Sequence, residues 1–325
     1  MSPLGKMITL AFTITVLIIA ATTIYFQYFA KKRLMISTTT SLYDTELLDA
    51  IKEAFEAKHP VVLNFIPVGT GVAIQHAKNG DVDVTLVHSP SLEKTFLEEG
   101  YGVCRKIIAY NFFTIVGPET DPAGIKGLNT TEASKQIAAY DNQTTSILWV
   151  SRGDNSGTHQ KEKSLWKKAG FNWTELSAKS WFASVGSGMG ATLLKAEEFS
   201  AYTLSDVGTY LKYSKEGLIS LKALVTEEQE LLNVYSVLAV NQTLHQHVNF
   251  EDAIVFIKFL ISEECQQLIE NYGKDEYGQS LFHGAVQPLK QNSSSQITQW
   301  IEDYAFFRDS ECPPEYRGGH PELYG

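Results

Sequence analysis

Arg152 sits in the run Ser151-Arg152-Gly153-Asp154-Asn155-Ser156-Gly157-Thr158, directly after the apolar stretch Ile147–Val150. A guanidinium is a rigid fork of N–H donors that keeps its charge at any accessible pH, so it suits a permanent anion. Two other stretches share the design of an apolar strand, a small hydroxyl- or Gly-rich turn and then a helix: Thr38–Ser41 and Gly69-Thr70-Gly71. The turn Gly186-Ser187-Gly188-Met189-Gly190 resembles them. A helix N-terminus leaves N–H donors unpaired and carries partial positive charge. Small residues let an anion approach those donors, and the hydroxyls of Thr40, Ser41, Thr70, Ser156 and Thr158 add more. Each turn alone reads equally well as an ordinary helix cap. The recurrence of one geometry is what points to an oxyanion. The donor loops hold no obvious proton acceptor, which favours a fully deprotonated dianion. Asp154 reads as the partner that orients Arg152; a plain ion pair of Arg152 with Asp154 or Asp141 is the alternative.

Other chemistries find less support. Gly69-Thr70-Gly71 lacks the Lys of a nucleotide-binding P-loop. Ser156 with His159 is not an elbow-type nucleophile motif. His88 and His159 read as satisfied polar residues at element ends. His245 and His247 lack a metal-site context, and Cys104, Cys265 and Cys312 show no CxxC spacing. The odd cysteine count leaves at least one free or paired between chains, with a single disulfide open. Trp149, Trp166, Trp181 and Tyr210 read as core. The chain is therefore expected not to be an enzyme and to need no cofactor or metal.

The elements that must position these residues follow from hydrophobic period. Leu47, Leu48, Ile51 and Phe55 recur at helical spacing, Pro60 ends that helix, and Val61–Pro67 reads as a strand. A short helix over Val72–Asn79 and a strand over Asp81–Val87 continue a β-α-β-α-β rhythm, the mark of a parallel sheet faced by helices. A second region opens near Val116-Gly117-Pro118. It holds a helix over Thr131–Tyr140 capped by Asn129, the strand Ile147–Val150, a helix reaching Lys168 and another over Ala191–Glu198. Tyr235–Val240 reads as a returning strand and Glu251–Leu260 as a strongly apolar helix. In open α/β sheets ligands sit at the carboxyl ends of strands, where all the donor loops fall. Near the end, Ile297, Trp300, Ile301 and Tyr304 form one apolar helical face.

Composition bounds the class. The 325 residues are 44% hydrophobic, enough for a two-lobed core, and the net charge of -10 argues against a nucleic-acid partner. Residues 7–30 carry no charge, with Lys6 before them and Lys31-Lys32-Arg33 after. That length crosses a bilayer, so an uncleaved N-terminal transmembrane helix is expected, with a cleaved signal peptide as the rival. The positive cluster would place the body inside. Five Asn-x-Ser/Thr sequons, at Asn129, Asn142, Asn172, Asn241 and Asn292, argue for outside, and the body is placed there.

At these residues the chain resembles the tungstate-binding proteins of tungstate ABC transporters. The resemblance rests on Ser37–Ser41, Val68–Gly71, Asp83–Ser89, Ile115–Pro118, Ser151–His159, Gly188–Leu193, Tyr202–Asp206 and Asn233–Asn241, and covers about Leu34 to Pro288. It implies an α/β, two-lobed periplasmic-binding-protein-like (type II) fold that closes on tungstate or molybdate as transported ligand. It also implies delivery to an ABC transporter permease. The implied ligand residues are Thr40, Ser41, Arg152, Ser156, Gly157 and Thr158, with Thr70 and Ser89 beside them. The expected division is 34–115 plus 233–290 as lobe I and 116–232 as lobe II, flanked by 1–33 as anchor or signal and 291–325 as a C-terminal tail with a helix, both read from the residues alone. The chain departs from the family in having an apparent anchor in place of a lipoprotein Cys. It also lacks a Gln before the second Gly of the Gly-Met-Gly turn, and its tail falls outside the resemblance. An anion sensor whose tail helix docks a partner, or an anchored enzyme acting on phosphoesters, are the alternatives.

Overall fold

The computed structural model describes residues 12–13, 15–16, 32–140, 146–291 and 295–324. The anchor expected over residues 7–30 lies almost wholly outside them, as do Asp141 and the sequons at Asn142 and Asn292. Among the described residues no helix is long and apolar enough to cross a membrane.

Strand β1 (Lys32–Thr39) leads into helices α1 (Thr40–Asp44) and α2 (Leu47–Glu56), then β2 (Val61–Val68), α3 (Thr70–Asn79), β3 (Val84–Val87) and α4 (Pro90–Glu98). The long β4 (Gly102–Gly117) carries the chain away to α5 (Thr130–Tyr140), β5 (Trp149–Ser151), α6 (Gly157–Lys168), α7 (Trp173–Ser177) and β6 (Phe182–Ser184). Next come α8 (Met189–Phe199), β7 (Thr203–Asp206), α9 (Val207–Lys215) and β8 (Lys222–Val225). Strand β9 (Leu232–Val240) returns, followed by α10 (Phe250–Leu260), α11 (Glu263–Asn271), α12 (Lys274–Tyr277), β10 (His283–Gly284), α13 (Val286–Lys290) and α14 (Gln296–Ala305).

The first sheet has the order β10-β4-β9-β3-β1-β2. β1 is parallel to β2 and β3, as the β-α-β rhythm requires, while β9 runs antiparallel to β3 and β4. The sheet is therefore mixed: the returning strand inserts next to β3. β4 serves two neighbourhoods. Its residues up to Phe112 pair with β9, and Phe113–Gly117 pair with β7 and β8. No sequence period marks this strand as one element. It is buried almost throughout and carries Arg105 and Lys106, so neither alternation nor an unbroken apolar run appears.

The hydrophobic interior divides along the same line. One core packs β1–β3 and β9 against α2, α3 and α10, with Ile36, Phe55, Leu86, Val237 and Phe256 sealed from solvent. The other side holds two cores. Trp149, Trp166 and Trp181 fill one, and Met189, Leu193 and Tyr210 belong to the next. A fourth cluster joins Ile107, Leu232, Val234 and Ala285 to Ile301 and Ala305 of α14. The apolar face of the tail helix is thus spent on its own chain and is not a free docking face. Two lobes joined by β4 and β9 result. All three cysteines are free and buried, so the open disulfide does not form.

Candidate functional site

Residues Ser37–Thr39 are the end of β1, not a loop, and each is buried. Ser37 Oγ donates to the carbonyl of Ala73 (2.9 Å) and lies 3.0 Å from Thr85 Oγ1, which ties the strand to α3 and β3. Thr39 caps α1 by accepting the Leu42 N–H, leaving Thr40 as the first helical residue. Ser41 is buried, with its hydroxyl 3.5 Å from that of Thr39. Gly69 precedes α3, so Thr70 opens that helix and is buried. The Oγ1 atoms of Thr38 and Thr70 are sealed from solvent and have no hydrogen-bond partner among the described residues. Sequence reading placed Thr38 in the donor stretch without singling it out. A buried hydroxyl without a partner costs free energy unless something accepts from or donates to it.

On the facing lobe, β5 delivers Arg152. Gly153 adopts a left-handed φ of 69° and a Cβ there would lie 1.9 Å from Ser184 Oγ, so the bend requires glycine. Ser156 caps α6 by accepting the His159 N–H at 3.3 Å, and Gly157 and Thr158 begin the helix. Their N–H groups fall in the first turn, where no intrahelical acceptor exists. Glu162, one turn further on, accepts from Trp149 Nε1 (2.7 Å) and Ser151 Oγ (2.9 Å) and so fixes β5 against α6. Burial pushes its carboxyl up to about 7, against those hydrogen bonds. Sequence reading missed Glu162 because its partners are set only by the packing of the helix on the strand.

Arg152 is 3% exposed. Its Nε donates to Asp154 Oδ2 at 2.8 Å, and Asp154 Oδ1 takes the Ser156 N–H at 3.0 Å. Asp154 therefore pairs with the guanidinium and orients it at a buried position, not on the open surface; Asp141 lies outside the described residues. The two remaining guanidinium nitrogens reach Thr158 Oγ1 at 3.4 Å and, across the cleft, Thr40 Oγ1 at 3.2 Å. The first is longer than a well-formed N–H···O bond and the second lies at the long end of the range. They are weak enough to be exchanged for a better acceptor.

A second approach of the lobes lies at Gly157. A Cβ there would sit 2.7 Å from His88 Cε1, 2.9 Å from His88 Nε2 and 3.1 Å from Thr70 Oγ1. His88 is buried and stacks on Tyr235 at 5.0 Å. Asn111 Nδ2 donates to the Leu281 carbonyl, Asn233 Nδ2 donates to Asn111 Oδ1, and Asn233 Oδ1 lies 2.7 Å from His88 Nδ1. This chain of donors assigns the His88 proton to Nδ1. Burial drives the imidazole pKa down to about 4, so the ring is neutral and Nε2 is a bare acceptor. His159 is also held neutral at about 4 by burial, and its Nδ1 accepts the Asn155 N–H at 2.8 Å. It is therefore not available as a base for Ser156.

Thr40, Thr70, Arg152, Gly157 and Thr158 are thus brought together. Ser41 and Ser156 stand beside them, committed to local turns. Ser89 lies at the edge of this group: its N–H donates to Glu93 Oε1, and it lines a crevice of about 300 Å³ with His88 and Gly157. The Gly186 turn is a support, since the Gly186 N–H donates to the Arg152 carbonyl at 2.9 Å. Two carboxyls feel the guanidinium. Asp206 is buried and caps α9, with both oxygens engaged by Thr209, and Asp44 is exposed at the end of α1. Desolvation raises the pKa of each, and the Arg152 charge partly offsets it.

Residues 28–264 match the model of the PBP superfamily domain. The tungstate-binding protein TupA of Peptoclostridium acidaminophilum is 37% identical over 78% of this chain and 86% of its own length. Among solved structures, the tungstate-binding protein TupA from Desulfovibrio alaskensis G20 aligns with a TM-score of 0.68 at 40% identity, covering 78% of this chain and 99% of that one. The tungstate ABC transporter structure from Geobacter sulfurreducens gives 0.66 at 40% identity, over 74% and 98%. With the superfamily domain spanning most of its length and its two lobes arranged as in these relatives, the chain belongs to the PBP superfamily and, within it, to the family of TupA tungstate-binding proteins.

Proposed function

We propose that the chain is an extracytoplasmic solute-binding protein that captures tungstate, and molybdate as its near isostere, and delivers it to an ABC importer. The observation that carries this reading is the buried Arg152. It is held by Asp154 and reaches a hydroxyl on each lobe through contacts of 3.2 and 3.4 Å. An oxyanion between the lobes would replace those two hydroxyls as acceptor. It would then draw in the hydroxyls of Thr40, Thr70 and Thr158 and the first-turn N–H groups of Gly157 and Thr158. Ser41 and Ser156 would brace their turns, with Ser89 at the rim. Only the closed arrangement offers donors from both sides, so binding would favour closure. No bond of the ligand is broken, and neither a cofactor nor a metal is needed. Tethering by the uncharged residues 7–30 would keep the body near its permease.

The test is calorimetry of the full-length chain in detergent with tungstate, molybdate, sulfate and phosphate. Binding of tungstate ahead of phosphate is expected; heat from none of the four would overturn the reading. A steric prediction comes with it. Gly157→Ala would drive a methyl into His88 and Thr70 when the lobes meet, an overpacking cost that weakens tungstate binding about tenfold or more. Since the clash exists only between lobes, thermal stability without ligand should barely change. An unaltered affinity would mean that the lobes do not close at Gly157.

A further inference from the structure

Lys161 lies one turn beyond Thr158 on α6 and is buried. No carboxylate lies within ion-pair distance of it among the described residues. Instead its ammonium donates to the carbonyls of Glu230 (3.0 Å) and Leu232 (2.8 Å), where the chain crosses back from lobe II into β9. It also sits 4.2 Å from the ring centroid of Tyr304 on the tail helix α14. One side chain on the anion-holding helix thus touches both the crossover and the tail.

The tail itself is fixed to lobe I. Ile301 and Ala305 are sealed against Ile107, Leu232, Val234 and Ala285. Further along, Glu311 forms an ion pair with Lys106 and accepts the Ile107 N–H at 3.0 Å, its carbonyl takes Arg105 Nη1 at 2.6 Å, and Tyr324 Oη donates to the Arg105 carbonyl at 3.0 Å. Beside Tyr304, Asp303 accepts from Gln229 Nε2, a residue on the lobe II side of β9, at 3.2 Å. In an opening about the crossover, α6 would move with lobe II while the Tyr304 ring stays with lobe I.

We propose that the C-terminal tail is a built-in latch on lobe closure, with the Tyr304 ring holding α6 through the Lys161 ammonium and so slowing release of the bound anion. Desolvated cation–π contacts are stronger than exposed ones, and this contact is interior on the Lys161 side; the same burial lowers the Lys161 pKa to about 7, so the contact is strongest below that pH. The latch would make the tail a determinant of residence time while leaving the anion's own ligands unchanged. It rests on the anion-binding reading above.

The experiment is tungstate release from the full-length chain, followed by rapid dilution, filtration and elemental counting of retained tungsten. Tyr304→Leu keeps the apolar packing and removes the ring face; Tyr304→Phe keeps both. Release from Tyr304→Leu is expected to be about three- to tenfold faster than from the unaltered chain, with Tyr304→Phe near the original rate. Melting temperatures report whether each variant is folded. If Tyr304→Leu releases at the original rate, or if Tyr304→Phe is as fast as Tyr304→Leu, the latch is wrong while anion binding stands. If the unaltered chain retains no tungsten, the anion reading falls and the latch with it.

Discussion

Arg152→Ala is expected to weaken tungstate binding by a factor of roughly 10²–10⁴, the loss of two charge-assisted hydrogen bonds to a buried dianion. The size of the effect follows from where the charge stands. The guanidinium is 3% exposed, so water cannot screen it or substitute for it. Asp154 holds Nε at 2.8 Å, which leaves the other two nitrogens already aimed at the meeting of the lobes. No rearrangement is needed when an anion arrives. Arg152→Lys should fall between, because a lysine brings the charge without a fork that serves Asp154, Thr158 and Thr40 together. Asp44→Ala is the contrasting case. That carboxyl is exposed but within the field of Arg152, and removing it takes away negative charge, not a donor. Calorimetric affinities for the three variants decide the matter. Equal losses for Arg152→Ala and Asp44→Ala would show that Arg152 has been given the wrong role.

The parts of this site that sequence made legible are local. Arg152, Asp154, Ser156 and Thr158 lie within one loop and the first turn of a helix, so the spacing of donor types already states the geometry. The same holds for Thr40 behind the apolar start of β1. Recurrence of strand, small turn and helix suggested an anion cleft without any tertiary information, and the structure brings Thr40 and Arg152 to 3.2 Å across 112 residues. What stayed hidden depends on contacts of long range. His88 reads in sequence as one polar residue at a strand end. Its tautomer is set by Asn233 and Asn111, which stand on the two crossover strands. Glu162 reads as one of several charges on an amphipathic helix, and only packing makes it the clamp on Trp149 and Ser151. Strand β4 was illegible for a related reason. Its pattern is interrupted by Cys104 at a φ of 55° and by a register shift between Val103 and Lys106, where the tail lies against it. The tail's partners on β4, Arg105 and Ile107, are more than two hundred residues away in sequence, so no periodicity could reveal them.

That junction supplies the largest effect expected on stability. Glu93 and Arg105 are both 0% exposed; Arg105 Nε donates to Glu93 Oε2 at 2.9 Å and Nη2 lies 2.8 Å from the same oxygen. Glu93 Oε1 accepts the Ser89 N–H at 2.7 Å, and the other arm of Arg105 holds the Glu311 carbonyl. Glu93→Ala leaves a guanidinium that cannot lose its proton in a place water does not reach. Breaking a buried pair from one side costs about 3–5 kcal/mol, so the melting temperature should fall on the order of 10 °C. The exposed pair Lys58–Glu264, whose side chains are 54% and 48% accessible, is the control: Glu264→Ala should cost less than about 1 kcal/mol. The charge argument separates from simple loss of packing through the double replacement. Glu93→Leu with Arg105→Met removes both ions and keeps the volume, and should recover much of what Glu93→Ala loses. If the double variant melts no higher than Glu93→Ala, the pair does not act through its charge, and the cost belongs to the hydrogen bonds to Ser89 and Glu311. Because those bonds join the α4 entry turn to the tail, that outcome would move the stability of this junction from electrostatics to backbone anchoring.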